Sequence, residues 1–188
     1  RGDESLRAIQ FSDTLESLDS GAFESTAITE LTIPKGISAV PERLCNNCQS
    51  LERVTLLGEV ETVGDMAFNS CLNLKVFNGA GKIKNVGDFA FSENGLMRLD
   101  VIPQLENVGD SAFAYCASIE FGEIGESFKA LGVACFDNCE GITGVTIPSC
   151  VEIVPQACFN GVDLTSIVIE NGVKQIKASA FRSNDSAS

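Results

Sequence analysis

Cys45-Asn46-Asn47-Cys48 is the one stretch of the sequence with the spacing of a metal or redox motif. A C-x-x-C pair supplies two of the four ligands of a zinc site, or the attacking and resolving thiols of a disulfide exchanger. The chain has eight cysteines but no His and no second C-x-x-C, so zinc would find only half a site. Redox catalysis would need a βαβ setting, which the sequence does not predict. The carboxylates of Glu120, Glu123 and Glu126 are the other candidate ligands. Calcium takes six to eight converging oxygens, whereas these three fall on a predicted strand and turn without a Gly-rich loop. No Ser or Cys lies beside a base or a phosphate cradle. The sequence therefore predicts no metal, no cofactor and no catalysis.

The elements that carry these residues are set by a period. An anchor, usually Ala-Phe, recurs at Phe23, Cys45, Phe68, Phe91, Phe113, Phe136, Phe159 and Phe181, at spacings of 22 or 23 residues. Five residues before each anchor stand Leu18, Val40, Val63, Val86, Val108, Leu131, Val154 and Ile176. Eight residues before it stand Leu15, Ile37, Val60, Ile83, Leu105, Phe128, Val151 and Val173. Such self-similarity marks a solenoid of stacked repeats, because one repeat cannot bury an apolar face alone.

Between anchors runs L-x-x-V-x-I, clearest at Ile28 to Ile33, Leu51 to Leu56, Ile142 to Ile147 and Leu164 to Ile169. Its closing alternation predicts a short strand with one buried face. The degenerate copy at Leu74 to Gly79 predicts the thinnest turn of the core. The fold class expected is an α/β-type repeat solenoid, a right-handed coil with a parallel sheet on one face and short extended and half-turn segments on the other. It forms a single domain over 1–188 of about eight repeats, with flexible termini at 1–5 and 182–188. Val-Gly-Asp at 63–65, 86–88 and 108–110 precedes its anchors, so Asp65, Asp88 and Asp110 are placed to cap the half-turn that follows.

The period reassigns most of the cysteines. Cys48, Cys71, Cys116 and Cys139 lie three residues after an anchor, and each belongs to a 23-residue repeat; the 22-residue repeats lack that Cys. Cys135 and Cys158 take the small-residue position before the anchor, Cys45 the anchor itself, and Cys150 falls in a loop. Neighbouring turns bring the row-mates Cys48 and Cys71, Cys116 and Cys139, and Cys135 and Cys158 to about 5 Å, within disulfide reach, but side chains in one row point alike. Free buried thiols are the expected state.

V-x-x-V-G-D-M-A-F-N-S-C at Val60 to Cys71 and I-T-G-V-T-I-P-S-C-V-E-I-V-P-Q-A-C-F at Ile142 to Phe159 resemble the BspA-type leucine-rich repeat. The resemblance covers Leu6 to Phe181. It implies a leucine-rich repeat coil, no catalytic residues, and a secreted or surface-attached protein of a family in which some members bind host matrix proteins or other cells. The expected location is extracellular or at the cell surface, the alternative being an organelle after loss of a targeting peptide. The ends lack obvious caps, which repeat arrays normally carry. A longer array, or another chain over an end, is expected.

Charge narrows the partner. The formal charge is −13, and from Asp100 to Glu170 eleven acidic residues face the single base Lys129. A polyanion is repelled by such a chain, and no apolar run is long enough to span a bilayer, so neither nucleic acid nor membrane insertion is expected. A protein with a basic surface is. On the strand face, Arg53 and Arg98 flank Val76, with Met97 and Phe121 as an apolar spot and Asp100, Glu120 and Glu123 as acidic neighbours. Arg and aromatic side chains are frequent interface anchors, which makes this strip the candidate site. The expected function is a non-catalytic protein-interaction module; the alternative is a processed structural subunit docked permanently in a larger assembly. Arg1-Gly2-Asp3 lacks a presenting loop, and Asn184-Asp185-Ser186 fits a glycosylation acceptor in a polar tail.

Overall fold

The computed structural model describes residues 5–96, 102–116, 118–119 and 127–182, and these build a β-solenoid of short parallel strands joined by turns. In the first sheet β1 (Glu30–Ile33), β3 (Arg53–Leu56) and β5 (Val76–Asn78) pair in parallel, with Glu30 opposite Arg53 and Arg53 opposite Val76. Leu31, Ile33, Val54, Leu56 and Phe77 point inward and are buried, as the alternation requires. Further along, β9 (Gly144–Ile147) pairs with β11 (Ser166–Ile169).

The second extended piece of each repeat is more than a connector. β2 (Ala39–Val40), β4 (Thr62–Val63), β6 (Asn85–Val86), β7 (Asn107–Val108) and β8 (Ala130–Leu131) form a parallel sheet of their own, in that order. β10 (Ile153–Val154) and β12 (Gln175–Ile176) form a separate pair. No ladder joins β8 to β10. Gly64, Gly87 and Gly109 each donate their N–H to the preceding turn, at the carbonyls of Val40, Val63 and Val86, over 2.8 to 2.9 Å. Pro155 occupies the same place after β10 and has no N–H to give.

The α/β label expected from sequence does not hold, because the helix among the described residues is a single 3-10 turn at Ala80–Lys82. The anchor segment cannot propagate a helix, since at the anchors from Cys45 to Phe91 the residues two before and two after have positive φ: Arg43 (55°) and Asn47 (60°), Met66 (54°) and Ser70 (56°), Phe89 (56°) and Glu93 (53°). Left-handed conformation is unfavourable for such side chains and needs compensation. The backbone supplies it. Arg43, Cys45 and Asn47 donate their N–H groups to Asp65, Ala67 and Asn69 of the next turn, each over 2.8 Å. Met66, Phe68 and Ser70 repeat this toward Asp88, Ala90 and Ser92, again at 2.8 Å. The Ala67 carbonyl and the Phe68 N–H belong to one peptide unit, so successive bonds join into rows of aligned dipoles along the coil.

Inside these rows the anchor rings stack. Phe91 lies 5.4 Å from Phe113, Phe113 5.5 Å from Phe136, Phe136 5.4 Å from Phe159 and Phe159 5.6 Å from Phe181, with interplanar angles of 14° or less. The rings thus repeat once per turn, somewhat wider than the about 4.8 Å between hydrogen-bonded strands. The turn expected to be thinnest is filled from both sides. Gly79 turns away at φ 82°, Ala80 takes the buried position, and Phe77 sits edge-on between Phe68 and Phe91 at 5.4 and 5.3 Å.

The Val-Gly-Asp carboxylates do not cap their own half-turns. Asp65 Oδ1 accepts the N–H of Asp88 at 2.9 Å, Asp88 Oδ1 that of Asp110 at 2.7 Å, and Asp110 Oδ1 that of Val133 at 2.7 Å. Each carboxylate thus bridges to the following turn. A Cβ on Gly109 would stand 2.5 Å from the Gly87 carbonyl carbon and 2.6 Å from the Asp88 nitrogen, which explains why glycine precedes each Asp.

Candidate functional site

The first sheet presents its outward side chains in columns because its strands pair without offset. One column runs Glu30, Arg53, Val76 and a second Thr32, Thr55, Asn78. Arg53 Nε lies 3.6 Å from Glu30 Oε1, and both side chains reach solvent. The structure brings Arg53 and Val76 together as the sequence predicted. Met97, Arg98, Asp100, Glu120, Phe121 and Glu123, like Arg1-Gly2-Asp3 and Asn184-Asp185-Ser186, lie outside the described residues.

The second sheet carries a column that the sequence reading missed. Glu61, Lys84, Glu106, Lys129, Glu152 and Lys174 alternate in sign down successive turns. Ion pairs close between Lys84 and Glu61 at 3.1 Å, Lys129 and Glu106 at 2.8 Å, and Lys174 and Glu152 at 2.7 Å. The signal lies in the recurrence of these residues at the repeat spacing, and the alternation of sign shows down the columns and not along the chain. The acidic stretch is correspondingly divided. Glu106 and Glu152 hold lysines, Asp110 accepts a backbone N–H, Asp137 accepts the Asn138 and Asn160 amides at 3.0 and 2.7 Å, and Glu170 accepts the Ser149 N–H at 2.9 Å. Glu140 and Asp163 remain exposed on the turns. At the other end of the coil, Glu24 accepts from Arg43 at 2.6 Å and Asn46 at 2.7 Å; these donors hold its carboxyl below the usual value.

The cysteines after the anchors have a shared task. The thiols of Cys48, Cys71, Cys116 and Cys139 donate to the carbonyls of Phe23, Cys45, Phe91 and Phe113, over 2.9 to 3.2 Å. In a repeat without the Cys, the Asn94 amide makes the same bond to the Phe68 carbonyl at 3.1 Å. Burial pushes the thiols of Cys45, Cys71 and Cys139 well up and that of Cys116 to about 12. Cys48 is pulled down to about 7 by hydrogen bonds from the Cys45 thiol and Thr26. Its sulfur also lies against the Phe23 carbonyl, which only the protonated thiol can satisfy, so the C-x-x-C serves packing and hydrogen bonding. Among the described residues no group of His, Cys, Asp or Glu converges to hold a metal ion, and no helix is long and apolar enough to cross a membrane.

The interruption between β8 and β10 opens a cleft of about 550 Å³, lined by Lys129, Gly132, Val133, Ile153, Pro155 and Lys177 among others.

The sequence matches the family model described as BspA type Leucine rich repeat region in 6 copies, over residues 1–97 and 80–188. Among solved structures the chain is similar to a leucine-rich repeat protein from Bacteroides ovatus, with 24% identity and a TM-score of 0.75 over 96% of this chain and 53% of that one. It is also similar to the Leucine Rich Repeat protein of T. pallidum, with 22% identity and a TM-score of 0.71 over 84% of this chain and 78% of that one. The chain therefore spans about half the length of the B. ovatus protein. No curated protein matches the sequence.

Proposed function

The chain belongs to the BspA-type leucine-rich repeat family, and from that premise we propose that it is a non-catalytic module, secreted or held at the cell surface, that binds a protein through the outward face of its first sheet. The observation that carries this reading is the register of β1, β3 and β5, which sets Glu30, Arg53 and Val76 side by side on a ruled surface. Such a surface offers a partner a cation and an apolar contact held by rigid elements, so little side-chain ordering is left to the moment of binding. The exposed carboxylates of Glu140 and Asp163, with the other acidic side chains of that half of the coil, favour a partner with a basic surface.

Capture of proteins from the native source on immobilised chain, compared with an Arg53→Glu variant, tests this. Arg53→Glu is expected to lose the captured partner while its thermal unfolding is unchanged, since Arg53 is exposed. Equal capture by both chains would remove the sheet face from the account. Raising salt is expected to weaken binding, and an affinity independent of salt would remove the acidic contribution.

A further inference from the structure

Five of the eight cysteines donate their S–H to a carbonyl, whereas Cys135 and Cys158 meet each other. Their sulfurs are 3.2 Å apart in the core, one on each of the two turns that bear β8 and β10. The backbones beside them are fixed at the ordinary pitch: Phe136 donates its N–H to the Cys158 carbonyl at 2.9 Å, and the Phe136 and Phe159 rings stack at 5.4 Å. Neighbouring turns about 5 Å apart fall within the Cα separation a disulfide accepts, and a side-chain rotation that brings the sulfurs to about 2.05 Å closes the bond. These are also the two turns whose second-sheet ladder is missing, with Pro155 where a donor would stand. The cleft at that gap has Val133 and Pro155 in its wall, two and three positions along the chain from Cys135 and Cys158, whose sulfurs lie buried behind it.

We propose that Cys135 and Cys158 are a thiol-oxidation site: a small-molecule disulfide entering at the gap between β8 and β10 converts them to a disulfide that staples the two turns. One cysteine loses its proton, and its thiolate attacks a sulfur of oxidised glutathione. The glutathione S–S bond breaks, and the leaving thiolate takes up a proton. The second cysteine, deprotonated in turn, attacks the cysteine sulfur of that mixed disulfide and expels the second glutathione thiol. Two protein thiols are oxidised to one disulfide, and one glutathione disulfide is reduced to two thiols. Burial pushes the Cys158 thiol well up, so the exchange proceeds when the gap opens and is faster at alkaline pH. The link closes a loop that spans one full repeat and so restrains the unfolded chain, while it joins two turns whose strands β8 and β10 form no ladder.

The test is to equilibrate the folded chain with oxidised glutathione at pH 8.5, block remaining thiols by alkylation, and map linked peptides by mass spectrometry. A Cys135–Cys158 linked peptide is expected, with the two thiols of that pair lost from the titration in denaturant, beyond any taken up as mixed disulfide at exposed Cys150, and all eight returning with dithiothreitol. The oxidised chain is expected to melt several degrees higher than the reduced one, and both Cys135→Ala and Cys158→Ala to abolish the difference. Eight thiols after treatment, or a link between other cysteines such as Cys45 and Cys48, would overturn the site; the wild-type mapping stands even where a variant fails to fold. A linked peptide with no change in melting temperature would overturn the stapling.

Discussion

The backbone N–H of Asp110 donates to the carboxylate of Asp88, 2.7 Å away in the preceding turn of the coil. The same bond joins Asp88 to Asp65 and Val133 to Asp110, so a motif that looks like a local cap ties turn to turn. The bridging carboxylate fits only because glycine precedes its partner. Gly109→Ala is therefore expected to lower stability by about 1–3 kcal/mol through a Cβ forced against backbone atoms at 2.5 to 2.6 Å. Gly81→Ala, whose Cβ would meet nothing within 4 Å, is expected to be neutral. Urea midpoints of the two variants check this; an equal loss in both would show that close approach is not the reason for the glycine.

Cys116 donates its thiol to the Phe91 carbonyl at 3.0 Å and is fully buried. Removing the donor leaves a buried carbonyl short of a partner and a small void, so Cys116→Ala is expected to cost about 1–3 kcal/mol. Cys150→Ala removes a like bond, to the Phe128 carbonyl, but at an exposed position where water can replace the donor, and is expected to cost less. Chemical denaturation under reducing conditions separates this from any disulfide effect. A Cys116→Ala variant as stable as the parent would reduce the row to space-filling.

Glu24 is held by Arg43 and Asn46, which lower its pKa in the folded chain. A lowered folded-state value means that the contribution is present above the ordinary carboxylate value of 4.5 and lost as pH falls through the folded one. Glu24→Gln should therefore be less stable than the parent at neutral pH, with the difference shrinking below about pH 4.5. The effect is small for a pair at the surface and should shrink in high salt. Melting curves across pH 3 to 8 test it; a gap that persists at acid pH would assign the effect to packing.

The sequence made the rows legible because a fixed period lays like on like: the Phe stack, the inward aliphatic columns and the parallel strands were all readable from spacing. What was not readable is whatever depends on the neighbouring turn. Asp88 reads as a cap until the next turn is placed above it, and only then does its partner become Asp110. The left-handed residues carry no compositional mark, for Met66, Phe89 and Ala134 are residues that rarely adopt positive φ. Their conformation is imposed by the inter-turn hydrogen bonds, and it is this that removes helix from a fold expected to contain it. Of the candidate face, the Arg53 and Val76 column follows from register alone, whereas the Glu/Lys column needed charges compared at the repeat spacing.

Pro155 was legible as a residue that cannot donate, but not as the point where a sheet is interrupted. The other turns show what is lost there: the Gly87 N–H reaches the Val63 carbonyl at 2.8 Å and the Lys177 N–H the Val154 carbonyl at 2.9 Å. Pro155→Ala gives the position a donor facing the Leu131 carbonyl. The bond gained is worth about 1 kcal/mol, and the added freedom of the unfolded chain costs about 0.4–1 kcal/mol, so global stability should scarcely change. Local protection should change more. The amide that Pro155→Ala introduces is expected to exchange with solvent as slowly as that of Lys177, and the Ile153 amide more slowly than in the parent, as the ladder between β8 and β10 closes. The gap is also the proposed entry for oxidant, so the same substitution should slow oxidation of Cys135 and Cys158 while leaving that of exposed Cys150 unchanged. Hydrogen exchange by NMR and timed alkylation measure the two effects. Fast exchange at the introduced amide would show that the turns are held apart by something other than the missing N–H, with Ile153 and Val133 across the cleft as the next pair to vary.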